Sequence, residues 1–331
     1  MSLKNAQVGI AGMGYSIPDQ VIDNHYFTRF VETSDEWIVQ RTGIKERRWL
    51  EPGEKPSDLF TAAAKMALEK SGVAAEDVDL IIVCTVSGDH QGTPASACIV
   101  QDNLGAKNAG AFDLQAACAG FLYGLQVGSQ FLKSGTYQNV LVIGGECLSR
   151  MSDIYDRNSV IIFGDGAGAA LLQPHEVCKQ GLIEDITIGA DGSGAQFITR
   201  PRGGGIERLT PEILSEGTHL IRMQGREVYR FAVSRMTALM RWAMEGQDSE
   251  ELSLVVPHQV NRRILETATE KLGFPEDKVF INIDRYGNTS AGSVPIAMCE
   301  AIEADLFEKD KLVVIAAFGS GLTWGAARIR W

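Results

Sequence analysis

The stretch "VDLIIVCTV" (78–86) is apolar at nearly every position, a pattern that fits a strand covered on both faces. Three more runs share it: "NVLVIGG" (139–145), "LSLVVPH" (252–258) and "KLVVIAAF" (311–318). Amphipathic stretches at 57–71, 118–133, 224–244, 261–272 and 292–306 read as helices between them. Strand–helix alternation of this kind predicts an α/β layered fold. The two ends of the chain also repeat one order. "VDLIIVCTV", a helix, "GAFDLQAACAGFLYGLQVG" and "NVLVIGGE" are matched by "LSLVVPHQVNRRI", a helix, "VFINIDRYGNTSAGSVPIAM" and "KLVVIAAFGSGLTWG". Each reads strand, helix, strand, small-residue turn, helix, strand. The pattern predicts two duplicated halves, 1–177 and 178–331, with 175–222 as a polar, Gly-rich connection and excursion. Overlaying the halves puts Cys118 and Asn288 at nearly the same place, a strand end entering a helix. A pseudo-two-fold pair brings matching strand ends together, which is where open α/β sheets bind ligands.

Length and composition narrow the class. The 331 residues are enough for one large domain or two ordinary ones. Apolar content of 45% and charged content of 22% are ordinary for a soluble protein. A net charge of −11 argues against nucleic acid as a main partner. No apolar run reaches the ~18–20 residues that span a bilayer. The N-terminal stretch has no long apolar region of the secretory kind. The expectation is a cytoplasmic protein with no membrane partner. The six cysteines include no C-x-x-C pair, so neither a zinc knuckle nor a redox pair is signalled.

Three residues stand out chemically. Cys118 sits among Ala116, Ala117, Ala119 and Gly120, at the expected start of a helix that ends near Gly135. A helix N-terminus favours thiolate over thiol, and small neighbours admit a substrate. The same pattern also suits an inert buried thiol beside a close helix crossing. His258 ends a buried strand, either as a catalytic group or as a cap. Asn288, in "RYGNTSAGSVP", is either a turn former or an N–H donor to a developing oxyanion. His25, His90, His175 and His219 stand in polar, loop-like sequence and receive no role.

Arg222, Arg226 and Arg230 are spaced to share one helix face, and Arg262 and Arg263 follow the His258 strand. Arg41, Arg47 and Arg48 cluster near Trp37. These are candidate anion-binding patches or solvated helix faces. The glycine patterns "GIAGMG" (9–14) and "GDGAGA" (164–169) lack the strand–turn–helix context of a dinucleotide site.

Six segments taken in order, "SDEWIVQRTGI", "AACAGF", "IIFGDGAGA", "PHQVN", "YGNTSAGSVP" and "FGSGLTWGAA", closely resemble the beta-ketoacyl-acyl-carrier-protein synthase III family of thiolase-like condensing enzymes. The resemblance runs from residue 8 to residue 331. It implies a thiolase-like fold, two duplicated βαβαβ-type halves in a five-layered α-β-α-β-α arrangement. It implies a catalytic Cys118–His258–Asn288 set. Cys118 takes an acyl group from acyl-CoA, malonyl-acyl carrier protein enters, and decarboxylation gives an enolate held by His258 and Asn288. The enolate carbon then attacks the acyl-cysteine to give a 3-oxoacyl product. Backbone N–H groups of Cys118 and Ser320 would form the oxyanion hole. No metal or redox cofactor is implied; the CoA and carrier-protein thioesters are substrates. Trp37 and Arg157 resemble the pair that sandwiches the CoA adenine, with Arg41 near the phosphates and Asn261 a further CoA contact. Arg230 and Arg263 fall where the family meets its acidic carrier protein. A homodimer is also implied.

The chain departs from the family pattern at three places. "HQVN" carries Val260 where alanine is usual, and "GSG" carries Ser320 where glycine is usual. Thr93 stands where many acetyl-primed members have an aromatic at the dimer interface. A smaller residue there is expected to deepen the partner's acyl pocket and admit a primer longer than acetyl. The alternatives are a sibling condensing or acyltransfer enzyme of secondary metabolism and a non-catalytic acyl-CoA-binding homologue.

Overall fold

The computed structural model describes residues 6–331. The main sheet contains β1 (Val8–Ser16), β2 (Leu80–Cys84), β3 (Gly110–Leu114), β4 (Val140–Cys147), β5 (Asp165–Pro174), β6 (Leu182–Ala190), β7 (Leu252–Pro257), β8 (Leu312–Gly319) and β9 (Thr323–Arg330). Helices of eight or more residues are α1 (Asp35–Thr42), α2 (Pro56–Ser71), α3 (Ser96–Leu104), α4 (Gly120–Lys133), α5 (Gly225–Met244), α6 (Arg262–Leu272) and α7 (Ser293–Glu303). The four apolar runs form β2, β4, β7 and β8, and the five amphipathic stretches form α2, α4, α5, α6 and α7.

The strand order is β7-β8-β9-β6-β1-β5-β4-β2-β3. β6 and β1 meet through only two residue pairs, Val8–Ile183 and Gly9–Leu182. That narrow join divides the sheet into two leaves with matching logic. From the join outward, β1-β5-β4 is antiparallel and β4-β2-β3 parallel. On the other side, β6-β9-β8 is antiparallel and β8-β7 parallel.

Side-chain alternation explains why the central runs are apolar throughout. On β2, Leu80, Ile82 and Cys84 point into one apolar cluster, while Ile81 and Val83 point into another. The first cluster lies between the leaves and holds Phe121, Leu122 and Leu125 of α4 with Val294, Ala297 and Met298 of α7. The second packs α2 and α3 on the outside of one leaf. A third packs α5 and α6 on the outside of the other. The layers are therefore helix, sheet, helix, sheet, helix, the thiolase-like arrangement.

Four expectations need correction. Residues 175–222 are not merely a connection, because they contain β6, a central strand. "LIEDITIGA" hides it: one face carries charge, with Glu184 paired to Arg330 at 2.8 Å, so the run is not continuously apolar. The "VFINI" run contributes only a single bridge, Val255–Val279, rather than a full counterpart of β3. Arg222 does not share a helix face with Arg226 and Arg230. It precedes α5 in the short strand Arg222–Met223 and pairs with Asp153 at 2.8 Å. Arg47 belongs to no surface patch. It is wholly buried and donates to the Ile22 carbonyl (3.1 Å), Asn24 Oδ1 (2.8 Å) and the Ile161 carbonyl (2.7 Å). Burial pulls its guanidinium down to about 9.

Candidate active site

Both central helices are entered the same way. A 3-10 turn, Ala117–Ala119, leads into α4, and another, Ser290–Gly292, leads into α7. Each begins with a non-glycine residue in the left-handed region, Ala117 at φ +46° and Ser290 at φ +50°. Such a conformation costs ~1–2 kcal/mol and persists only where the surroundings enforce it. This register equates Cys118 with Ala291, so Asn288 lies three residues earlier than the overlay of sequences placed it.

Each turn presses on the other half. A Cβ at Gly319 would lie 2.7 Å from the Cys118 nitrogen and 2.8 Å from its Cβ. A Cβ at Gly144 would lie 2.3 Å from the Ala291 carbonyl oxygen. Only glycine lets the strands β8 and β4 come that close.

Cys118, His258, Asn288 and Ser320 all line one cavity of about 1770 Å³. His258 is wholly buried, and its Nδ1 lies 2.6 Å from the Ser293 hydroxyl. Its Nε2 has no hydrogen-bond partner among the described residues. Burial lowers its pKa to about 3, so the ring is neutral at physiological pH. Asn288 is held by its backbone, whose N–H donates to the Ile162 carbonyl at 2.9 Å while its carbonyl accepts from Gly164 N–H at 3.1 Å. The "IIFGDG" stretch is thus a mount for Asn288. The Asn288 Oδ1 accepts from the Ser290 N–H at 2.8 Å, which fixes the amide's orientation.

The surroundings of Cys118 work against the thiolate expected at a helix start. Burial pushes the thiol up to about 12; the Ser290 hydroxyl lowers it, and the nearby Glu146 raises it further. Desolvation thus opposes the field of the helix start.

Glu146 is a group that the sequence reading missed. It is wholly buried, and its carboxylate accepts from the hydroxyls of Thr85 (3.0 Å) and Ser290 (3.4 Å) and from the Val86 N–H (3.1 Å). Burial lifts it to about 7 against these donors. A charged residue closing the apolar run "NVLVIGGE" was the available signal. Ser293, at the start of α7, is a second such group.

Trp37, Arg41, Arg157 and Asn261 also line this cavity, whereas Arg230, Arg263 and Thr93 do not. The Arg157 guanidinium lies 4.8 Å from the Trp37 ring and Arg41 lies 5.3 Å from it. Arg157 covers the indole directly, leaving no slot for a further ring between them. Asn261 caps α6, accepting from Arg263 N–H at 2.9 Å, and its amide donates to the Arg41 carbonyl at 3.0 Å. Arg263 lines a neighbouring notch with Gln40 and Arg41. Arg230 is exposed on α5 and faces Glu227 at 3.7 Å. Ser320 donates its hydroxyl to the Ile198 carbonyl at 2.7 Å. Thr93 lies on an exposed loop and is not part of this chain's own cavity wall.

Two family models match the chain: "3-Oxoacyl-[acyl-carrier-protein (ACP)] synthase III" over residues 112–206 and its C-terminal counterpart over residues 243–331. A beta-ketoacyl-[acyl-carrier-protein] synthase III of Natranaerobius thermophilus is 47% identical over 326 residues, covering 97% of this chain and 98% of that one. The chain belongs to the beta-ketoacyl-acyl-carrier-protein synthase III family. Among solved structures, the synthase III of Aquifex aeolicus VF5 superposes with a TM-score of 0.88 at 41% identity, covering 98% of this chain and 100% of that one. The priming beta-ketosynthase of the R1128 polyketide pathway superposes with a TM-score of 0.88 at 32% identity, covering 98% and 96%. As a synthase III family member the chain is a condensing acyltransferase. No helix among the described residues is long and apolar enough to cross a membrane.

Proposed function

We propose that the chain condenses an acyl-CoA primer with malonyl-acyl carrier protein to start fatty acid synthesis, using Cys118, His258 and Asn288. The observation that carries this reading is the unpartnered His258 Nε2 in the cavity that also holds Cys118 and the oriented Asn288 amide. In the first half-reaction the Cys118 sulfur attacks the thioester carbonyl. The tetrahedral oxyanion takes hydrogen bonds from the Cys118 and Ser320 N–H groups. The carbon–sulfur bond to CoA breaks, and the cysteine's proton leaves, in net terms, on the CoA thiol. In the second, the malonyl carbon–carbon bond breaks to release CO₂. The electron pair forms an enolate whose oxygen is held by His258 Nε2–H and the Asn288 amide. The enolate carbon attacks the acyl-cysteine and expels Cys118 as a thiolate, which takes up a proton from solvent. The steps balance without a metal or a redox cofactor.

Trp37 and Arg41 are proposed to hold the CoA nucleotide, with Arg157 swinging off the indole to admit the adenine and Asn261 supporting the Arg41 side of the rim. Arg230 and Arg263 offer positive charge to an acidic carrier protein. β3 is a sheet edge with Phe112 and Leu114 half-buried, a suitable seam for a homodimer between cytoplasmic copies. There the exposed Thr93 loop would close the partner's acyl pocket. The 32% identical polyketide priming enzyme supports a second reading, a primer-loading step in secondary metabolism. The two differ in the acceptor.

A panel of acyl-CoA primers with malonyl-acyl carrier protein tests the reading. C8–C12 primers are expected to outperform acetyl-CoA, and Thr93→Phe is expected to shift the ratio toward acetyl by about tenfold, the scale of filling an acyl pocket. Clear acetyl preference by the unaltered protein would overturn the long-primer assignment.

A further inference from the structure

We infer that Glu146 receives the Cys118 proton through the Ser290 hydroxyl during acylation and returns it to the departing CoA sulfur. The inference deepens the condensing reading above and rests on it only for the acyl-CoA step.

Glu146 is wholly buried near the end of β4, and no cation lies against it among the described residues. A carboxylate is costly in such a place unless hydrogen bonds hold it. Its two oxygens are held differently. Oε2 takes the Thr85 hydroxyl at 3.0 Å, the Val86 N–H at 3.1 Å and the Ser87 hydroxyl. Each of these hydroxyls already accepts a backbone N–H, Thr85 from Ser87 at 3.1 Å and Ser87 from Cys147 at 2.7 Å. Their own protons are thereby aimed at Oε2. Oε1 faces the Ser290 hydroxyl at 3.4 Å, with only the Val86 N–H beside it at 3.3 Å. A proton arriving at Glu146 therefore lands on Oε1, on the Ser290 side.

The Ser290 hydroxyl also reaches the Cys118 sulfur. Its counterpart in the other half is Ala117, so this left-handed turn needs no hydroxyl in order to form. A hydroxyl between two such groups can take one proton while handing on its own. The thiol proton passes to Ser290 Oγ as the Ser290 proton passes to Glu146 Oε1. The sulfur bonds to the thioester carbon, and the bond to CoA then breaks. The proton travels back through Ser290, which lines the cavity, to the CoA sulfur. Glu146 ends the half-reaction ionised, as it began. It touches no reacting atom and is a positioning residue for the proton.

Charge explains why the proton stays inside. Cys118 and, on β2, Cys84 are the titratable groups that feel the Glu146 charge, and Cys147 follows it on β4. Losing the thiol proton to solvent would leave two negative charges side by side in a buried site, whereas the relay keeps one. Burial sets Glu146 at about 7, so the acceptor is available at neutral pH.

Acylation of Cys118 by acyl-CoA and its alkylation by iodoacetamide, each followed against pH by mass spectrometry, test the relay. In the unaltered protein both rates are expected to rise about tenfold per pH unit below about 7 and to level off above it. Glu146→Gln is expected to be at least about tenfold slower at pH 7 and to keep rising with pH, because its thiol proton must go to hydroxide. Ser290→Ala, which keeps the N–H that orients Asn288, is expected to do the same. A spectator Glu146 predicts the opposite sign, since removing its charge eases thiolate formation and speeds Glu146→Gln. A faster or unchanged Glu146→Gln, a level region kept by either variant, or none in the unaltered protein would overturn the inference. If Glu146→Gln does not fold, the pH profile of Ser290→Ala decides alone. If acyl-CoA leaves Cys118 of the unaltered protein unmodified, the condensing reading fails, while the iodoacetamide profiles still judge the relay.

Discussion

Cys118→Ala is expected to lose condensation by at least about 10⁴-fold, as removal of a covalent nucleophile does elsewhere. The substitution deletes only Sγ from a turn already built of alanine and glycine, so the fold is expected to hold, with a thermal midpoint within a few degrees. Its diagnostic feature is a split between half-reactions. The His258 and Asn288 donors are untouched, so decarboxylation of malonyl-carrier protein is expected to persist within about tenfold. Steady-state assays of both steps on one preparation check this. Condensation above about 1% of the starting rate would rule out Cys118 as the acyl carrier.

Asn288→Asp is the second large effect. The side chain is close to isosteric, and the backbone stays tied to Ile162 and Gly164. One carboxylate oxygen replaces Oδ1 as acceptor for the Ser290 N–H. The other replaces the NH₂ and faces the developing enolate with negative charge. Loss of one oxyanion donor is worth roughly 10²–10³ in rate, and the new repulsion adds to it. Decarboxylation is expected to fall by at least about 10³, and by less in Asn288→Ala, which removes the donor without adding charge. If the aspartate variant decarboxylates as fast as the alanine variant, Asn288 does not face the enolate.

The two-leaf sheet was legible because β2, β4, β7 and β8 are apolar on both faces, and the layers follow from that alternation. β6 was not legible, because its strand pattern is broken by charges that find partners only after folding, as Glu184 does with Arg330. At the site, residue type and position at strand ends marked Cys118, His258 and Asn288 only as candidates, and the family resemblance joined them into one set. Their tuning was not legible. Ser293 reaches His258 across 35 positions, and Glu146 meets Ser290 across 144. Contacts of that range leave no periodic trace. Cys118 shows the same limit: a helix start is visible in sequence, whereas the burial that opposes it belongs to the packed structure. Arg47 reads as one of three clustered surface arginines, yet its guanidinium binds backbone carbonyls in the interior.

The central claim is that Cys118 carries the acyl group between two substrates. Mass spectrometry of the Cys118 peptide after mixing with a C8–C12 acyl-CoA, then after a chase with malonyl-acyl carrier protein, tests it most directly. The expected result is one acyl increment on Cys118 that disappears in the chase as 3-oxoacyl-carrier protein forms. An unmodified Cys118, or an increment that survives the chase, would contradict the account.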